Sequence, residues 1–225
     1  MKRKKSAVIA ATTGLVLLGT AALAAESAVS SKIESRVQQQ LPSASGVSAS
    51  IPLTDLPSIL RSDLIKEVKI DIADYTLKSS GRKSSLEISA KEISKSASTQ
   101  IGSLEIKTTV AISQLLAESG FNDAEIVDNA LQISVGAGGL GKALMVPQYS
   151  NNQIYFQIKS VSIMGSPIPA SSLPADIQEQ IKSRTVKDLK VPAGLKVKSV
   201  SIGPKGLSVS FQGTNINLRS LAISL

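Results

Sequence analysis

The chain has 225 residues, of which 42% are hydrophobic and only 3% aromatic, and its formal net charge is +8. It contains neither Cys nor His, which excludes disulfides, thiolate nucleophiles, Ser-His-Asp triads and zinc sites built on Cys or His. The core must therefore be aliphatic. Carboxylate chemistry alone stays open, and no motif points to it, so we expect a protein that is not an enzyme and needs no cofactor.

The first 24 residues have the pattern of a targeting segment. Four basic residues at positions 2–5 precede an uncharged apolar run, Ala7–Ala24, which ends on the small residues of Ala22-Leu23-Ala24. We expect a cleaved signal peptide, with a retained N-terminal anchor as the alternative. Residues 25–225 would then form a single exported domain, in a periplasm-like space or on the outer face of the cytoplasmic membrane.

Export changes the meaning of the charge. Cleavage after Ala24 removes four basic residues and no acid, so the net charge falls from +8 to +4. Nucleic-acid binding needs clustered charge and often stacking aromatics. A nucleic-acid partner is therefore not expected.

The first half of the exported chain alternates between short helical patterns and long strands. Apolar residues four apart predict a helix over 25–41, and Pro57 begins a second short one that ends near Ser62. Period-2 alternation predicts strands around 68–77, 86–90 and 104–112, with a phase slip before Tyr75. A short helix follows over 113–119 and ends at Gly120.

The second half has the same pattern of strands and short helices. Alternation predicts strands around 131–135, 144–146 and 154–158, and a helix over 172–184. Leu195 to Val209 then predicts a β-hairpin around the turn Gly203-Pro204-Lys205-Gly206, with a possible further strand after Gly213. Together these elements predict an α+β fold, in which one long curved antiparallel sheet is wrapped on a few helices.

One glycine-rich stretch is similar to nucleotide-binding motifs. Residues 136–142 fit Gly-x-Gly-x-x-Gly and the Gly-x-x-x-x-Gly-Lys spacing of a phosphate loop, but Ala143 stands where that loop needs a hydroxyl. Both motifs require a following helix. Since 143–146 has the pattern of a strand, we interpret the stretch as a turn between strands.

Positive charge concentrates near the C-terminus. Between Lys182 and Lys205 there are seven basic residues and one acid, a charge of +6. Clustered Lys near an anionic bilayer contributes roughly 1 kcal/mol each, so the segment is either a solvated face or a contact for phospholipid headgroups. The headgroup candidates are Lys187, Lys190, Lys196 and Lys198.

The aliphatic strands supply a candidate apolar binding face. A sheet with one apolar face either packs on its own helices or lines a groove that holds acyl chains, and composition leaves both open. The inward-phase candidates are Val68, Ile70, Ile72, Leu86, Ile88, Ile106, Val110, Phe156, Ile158, Leu195, Val197, Val209 and Phe211.

The C-terminal pattern resembles a known family. Val191-Pro192-Ala193-Gly194-Leu195, continued by the alternating residues and Gly203-Pro204-x-Gly206-Leu207-x-Val209, is similar to the signature of the LmeA-like phospholipid-binding proteins, which are exported actinobacterial proteins. The stretch from Ile51-Pro52-Leu53 to Leu60, followed by residues 65–70, parallels that family's short helix and first long strand. The resemblance extends over about 25–218.

The resemblance implies a fold similar to tubular lipid-binding domains and non-catalytic phospholipid binding in the cell envelope, associated with lipoglycan assembly. We therefore expect an exported protein that holds acyl chains against the apolar sheet face, with anionic phospholipid and a membrane surface as partners. The alternative is an envelope structural or interaction protein with a closed core and no ligand.

Overall fold

A computed structural model describes residues 31, 34–35, 37–39, 42–52, 64–76, 83–94, 100–116, 124–135, 141–173 and 175–217. Two six-stranded sheets make up most of this part of the chain. The described residues group into two compact units, one containing Thr109–Lys190 and Val200–Ser208, the other the described residues up to Thr108, Val191–Ser199 and those from Val209 onward.

The first sheet has the strand order β1-β2-β3-β4-β12-β11. Its strands are β1 (Ser45–Ser50), β2 (Leu64–Thr76), β3 (Lys83–Ser94), β4 (Gln100–Val110), β11 (Lys196–Gly203) and β12 (Gly206–Asn217). β1 pairs antiparallel with β2, and β2 with β3, so that Ile70 lies opposite Ile88. The predicted β11–β12 hairpin is confirmed, with Pro204 and Lys205 in its turn, and β12 runs on through Gly213 without a break.

The second sheet has the order β10-β8-β7-β6-β5, with β9 also pairing with β8. Its strands are β5 (Glu125–Val127), β6 (Ala130–Val135), β7 (Gly141–Ser150), β8 (Gln153–Ile163), β9 (Ser166–Pro169) and β10 (Lys187–Asp188). β5 to β9 follow one another as antiparallel neighbours. Its core is aliphatic and includes Leu131, Ile133 and Met145, each at most 1% exposed.

Helices are short in the described residues. α1 (Ile112–Leu116) has five residues, α2 (Ala175–Thr185) has eleven, and a 3-10 turn spans Ala170–Ser172. The described residues between 31 and 39 are also helical, and the Glu34 carboxylate accepts a hydrogen bond from the Ala49 backbone N–H at 3.1 Å. The predicted helices over 113–119 and 172–184 are present in their described parts, and the one near Ser62 lies outside them.

The prediction of an α+β fold with one long sheet wrapped on helices is wrong. The described chain is nearly all β, with two sheets and small helices. The reason is geometric: a helix rises about 1.5 Å per residue, so α2 is about 16 Å long, whereas six strands at about 4.8 Å spacing need about 24 Å of cover. α2 packs on β8, and the buried aliphatic residues lie mainly in the strands.

The strand patterning follows the alternation in the sequence. In β2 the buried residues recur every second position from Val68 to Ile72, and the register then shifts between Ile72 and Tyr75. This irregularity is the predicted phase slip, and it returns Tyr75 to the buried face. Without the extra residue, every later side chain of β2 would change face.

Candidate functional site

The buried face of the first sheet is the main apolar surface of its unit. Across β2, β3, β4 and β12 the predicted inward residues are at most 3% exposed. They are Val68, Ile70, Ile72, Leu86, Ile88, Ile106, Val209 and Phe211. Ile65, Ala90, Ile93, Ile101 and Leu104 share this burial, so the face is wider than the sequence-based selection. We call the whole set the apolar face.

The opposite face of the same strands is charged. Glu67 lies 3.7 Å from the ammonium of Lys69 and 3.8 Å from that of Lys91, and the Lys107 ammonium lies 3.1 Å from Glu87. Each charge occupies a position that alternates with a buried aliphatic. The sheet therefore presents an ion-paired surface on one side and aliphatic side chains on the other.

Three polar side chains interrupt the apolar face. Tyr75, Ser84 and Thr108 are 1%, 3% and 1% exposed, and their hydroxyl oxygens have no hydrogen-bond partner among the described residues. They lie on β2, β3 and β4, three adjacent strands, and Tyr75 is opposite Ser84 in the β2–β3 register. We refer to these three residues as the hydroxyl cluster.

The hydroxyl cluster sits where the backbone allows a long side chain to cross a strand. β2 and β4 are about 9–10 Å apart, because two strand spacings separate them. The Tyr75 hydroxyl lies near both Ser84, on the intervening strand, and Thr108, on β4. Burial raises the pKa of the Tyr75 hydroxyl, and the nearby hydroxyls of Thr108 and Ser84 partly offset that rise. The three groups are thus neighbours without forming a hydrogen bond to one another.

The sequence carries a signal for this cluster. Ser84 and Thr108 fall in the inward phase of strands whose other inward residues are aliphatic. Thr108, between Ile106 and Val110, occupies an inward position of the alternating pattern but is polar where its neighbours in that pattern are aliphatic. A polar residue at a core position is more informative than the aliphatics around it, because burying a hydroxyl without a partner costs roughly 1–3 kcal/mol.

Three of the other predicted inward residues lie in the other unit, whereas Leu195 and Val197 belong to the unit of the apolar face. Val110, at the end of β4, is 1% exposed, and Phe156 and Ile158 on β8 are 5% and 7% exposed. The Phe156 N–H donates a hydrogen bond to the Thr185 hydroxyl at 3.1 Å, which ties β8 to the end of α2. These three residues and the apolar face belong to different units.

A surface groove of about 300 Å³ runs between β8 and α2. Its apolar floor includes Phe156 and Ile158, and its rim includes Gln178, Glu179 and Lys182. The Lys182 ammonium stands 5.2 Å from the centre of the Tyr155 ring, within cation–π range, and 3.9 Å from Glu179. The groove is therefore lined by a mixture of apolar and polar groups.

The basic C-terminal segment is mostly exposed, and some of its charges are paired, among them Lys182 with Glu179 and Lys198 with Glu105. Lys196 and Lys198 point outward on β11, while Leu195 is buried and Val197 is half-buried. The Lys198 ammonium lies 2.8 Å from the Glu105 carboxylate. Lys190 is exposed and Lys187 is partly buried, and both belong to the other unit. The roles of these four lysines stay predictions.

The glycine-rich stretch is confirmed as lacking the helix that nucleotide motifs need, since β7 begins at Gly141 and continues through Ala143 and Pro147. Residues 136–140 lie outside the described part. The Lys142 ammonium donates a hydrogen bond to the Ser134 hydroxyl at 3.0 Å.

Two further observations concern the described residues alone. They contain no helix long and apolar enough to cross a membrane. They also contain no group of three or more Asp or Glu side chains arranged to hold a metal ion. The predicted targeting segment, Met1–Ala24, lies outside the described residues.

An apolar sheet face with an ion-paired reverse side defines this molecule as a β-sheet protein built around aliphatic burial. The chain belongs to the LmeA-like phospholipid-binding family, whose model matches residues 20–212. The resemblance found in the C-terminal pattern is thereby confirmed. No curated protein and no solved structure matches the chain. Phospholipid binding is therefore the functional class that the family supports.

Proposed function

We propose that this is an exported, non-catalytic protein of the cell envelope that holds the acyl chains of a phospholipid against the apolar face and supports lipid or lipoglycan assembly there. The observation that carries the proposal is the apolar face itself, at least eight aliphatic or aromatic side chains on four strands, in a chain of a phospholipid-binding family. Burial of each acyl methylene contributes about 0.8 kcal/mol. Burial of a stretch of several methylenes therefore suffices for stable binding.

Near-complete burial of the same residues favours the alternative function. Side chains at most 3% exposed are covered, and acyl chains reach them only by displacing the groups that cover them. A structural or interaction protein with a closed core would have the same apolar face permanently sealed. The two functions therefore differ in whether lipid enters, and not in which residues are apolar.

Contact with a membrane surface is the second part of the proposal, and the β8–β9 hairpin supports it. Its turn, Met164-Gly165, follows Ile163, and the two large apolar side chains are 48% (Ile163) and 83% (Met164) exposed. The matching turns between β5 and β6 and between β7 and β8 carry Asp128-Asn129 and Asn151-Asn152. An exposed apolar turn among polar ones is suited to insert into the boundary of a bilayer.

The anionic preference of the proposed partner rests on charge. The segment 182–205 carries +6, and Lys190 and Lys196 are exposed. These charges would act by long-range attraction, which is screened beyond about 8 Å at physiological ionic strength. Acyl-chain capture would not weaken with salt, because apolar burial is strengthened by salting-out ions.

Native mass spectrometry of the purified mature protein, with extraction and identification of bound lipid, tests the central claim. We expect a stoichiometric adduct with the mass of a phospholipid, reproduced when delipidated protein is mixed with phosphatidylglycerol vesicles. Protein that stays free of lipid under both conditions, with a cooperative unfolding transition, would establish the closed-core alternative. Flotation with anionic and neutral vesicles, at low and high salt, separates surface attraction from chain capture.

A further inference from the structure

We propose that the hydroxyl cluster, Tyr75, Ser84 and Thr108, hydrogen-bonds the ester carbonyl groups of a bound diacyl lipid. This inference rests on the proposed phospholipid binding and goes one step further, because it assigns a polar part of the ligand to named residues. The apolar face would take the acyl chains, and the cluster would set how far along the strands they lie.

The first support is that three hydroxyls are buried together without partners among the described residues. Tyr75 and Thr108 are 1% exposed and Ser84 is 3% exposed, and none of their oxygens is hydrogen-bonded there. Native interiors hold few such groups, and each one calls for an explanation. A hydroxyl donates one hydrogen bond and accepts up to two, so the cluster offers three donors to a ligand acceptor.

The second support is position. The cluster spans three adjacent strands of the apolar face, at the end of β2 and the beginning of β3. Directly along the same strands come Ile72, Leu86 and Ile106, all nearly fully buried. A diacyl lipid has the same order of chemistry, with ester carbonyls immediately followed by hydrocarbon. The strands therefore match the linkage region of such a lipid and its first methylenes.

The third support is the absence of charge at the cluster. The pKa of Tyr75 responds to burial and to two neutral hydroxyls, and no ionised side chain contributes to its shift. The charged residues next to the cluster along the strands, Asp74 and Lys83, are exposed, and Lys107, next to Thr108, pairs with Glu87 on the charged side of the sheet. A buried phosphate without a cation is strongly disfavoured by desolvation. The neutral ester carbonyl fits this environment, and the phosphate would lie outside it.

The test compares two lipids that differ only in the carbonyl oxygens. We would measure binding of a diacyl phosphatidylglycerol and of its dialkyl ether analogue with equal chain lengths, by lipid transfer from vesicles to delipidated mature protein. The unmodified protein should bind the diacyl lipid about five- to tenfold more tightly, which corresponds to one or two hydrogen bonds. Tyr75→Phe and Thr108→Val, which keep the side-chain shapes, should each reduce that preference toward one.

A matched control is Thr109→Val, one residue further along β4. The Thr109 hydroxyl is 2.8 Å from that of Ser208, so it has a partner, and its removal should leave the diacyl preference unchanged. Urea unfolding of each variant shows whether the fold persists. Tyr75→Phe and Thr108→Val should not lose stability, since each removes an unpaired buried hydroxyl.

The outcomes are distinct. If neither lipid binds to the unmodified protein, the proposed phospholipid binding itself is wrong. If both lipids bind equally tightly and the cluster variants change neither, lipid binding stands and this assignment is overturned. If the variants weaken both lipids by the same factor, the hydroxyls organise the interior through internal water, and the carbonyl assignment is again overturned. Only a selective loss of diacyl binding supports it.

Discussion

The Lys198 ammonium lies 2.8 Å from the Glu105 carboxylate, joining β11 to β4 on the exposed side of the first sheet. Both side chains are nearly half exposed, and such exposed pairs contribute roughly 0.2–1 kcal/mol to stability. The pair matters more for charge, because Glu105 already neutralises the charge that Lys198 would offer to an anionic surface. Lys196, two residues earlier, is exposed.

The first prediction follows from this pair. Lys196→Gln should weaken flotation with anionic vesicles at low salt more than Lys198→Gln, because Lys198 is already matched by Glu105. Glu105→Gln should strengthen flotation by releasing that charge. Glu125→Gln on β5 is the control, since it changes the net charge equally elsewhere in the chain.

Replacing Lys187, Lys190, Lys196 and Lys198 together by Gln should leave the fold intact and reduce flotation most. If that variant floats like the parent protein at low salt, the segment is only a solvated face.

The second prediction concerns the β8–β9 turn. Met164 has a φ of 49°, a left-handed conformation that favours Asn over Met. Met164→Asn should therefore stabilise the hairpin by a few tenths of a kcal/mol while reducing vesicle association about tenfold, the loss of one inserted side chain. Thermal unfolding and flotation measure the two effects separately. If Met164→Asn raises stability and leaves flotation unchanged, the turn is only solvated and is not part of the proposed membrane contact.

The third prediction uses two glycines of one turn. Gly206 has a φ of 130°, and a Cβ there would collide with the Val110 carbonyl oxygen. Gly203, on the other side of the turn, has open space around the position of a Cβ. Gly206→Ala should therefore lower the free energy of unfolding by about 2–4 kcal/mol, from backbone strain and steric overlap, and Gly203→Ala should change it by less than about 1 kcal/mol. Urea titrations of both variants test this, and equal effects would contradict the close packing of β12 on Val110.

The fourth prediction concerns alkaline pH. Burial raises the pKa of Tyr75 above its ordinary value of 10.0, so the unfolded chain releases this proton at a lower pH than the folded one. The contribution of Tyr75 is complete below pH 10.0 and is lost as the pH rises toward the folded pKa, with a limiting slope of about 1.4 kcal/mol per pH unit. Urea unfolding between pH 8 and 11 should show this decline in the unmodified protein.

Tyr75→Phe provides the control for the alkaline loss. It removes the titrating group and should flatten the pH dependence by the share that Tyr75 contributes. Tyr149→Phe, at a half-buried tyrosine whose hydroxyl donates to the Asn152 side chain at 2.9 Å, controls for the loss of a tyrosine hydroxyl elsewhere in the chain. An unchanged slope in Tyr75→Phe would mean that the Tyr75 hydroxyl reaches water in the folded protein.

The amino-acid sequence by itself determined the strands, their faces and the family. Aliphatics at alternate positions specify which side chains are buried in β2, β3 and β4, because successive residues of a strand point to opposite faces. The shift before Tyr75 and the turn at Pro204 were also readable, since each breaks a period of two. The C-terminal pattern likewise sufficed to identify a phospholipid-binding family.

Only the tertiary structure decided how these strands combine. Alternation specifies the faces of a strand but not its neighbour, so the division into two sheets, with β4 beside β12, was not predictable from period alone. The same limit produced the wrong α+β prediction, because helical spacing shows that a helix exists but not how much sheet it covers. The register of three consecutive strands brought Tyr75, Ser84 and Thr108 together, and pairing between strands far apart in sequence gave Lys198 its partner Glu105. Both kinds of contact depend on the register between strands, which no local pattern encodes.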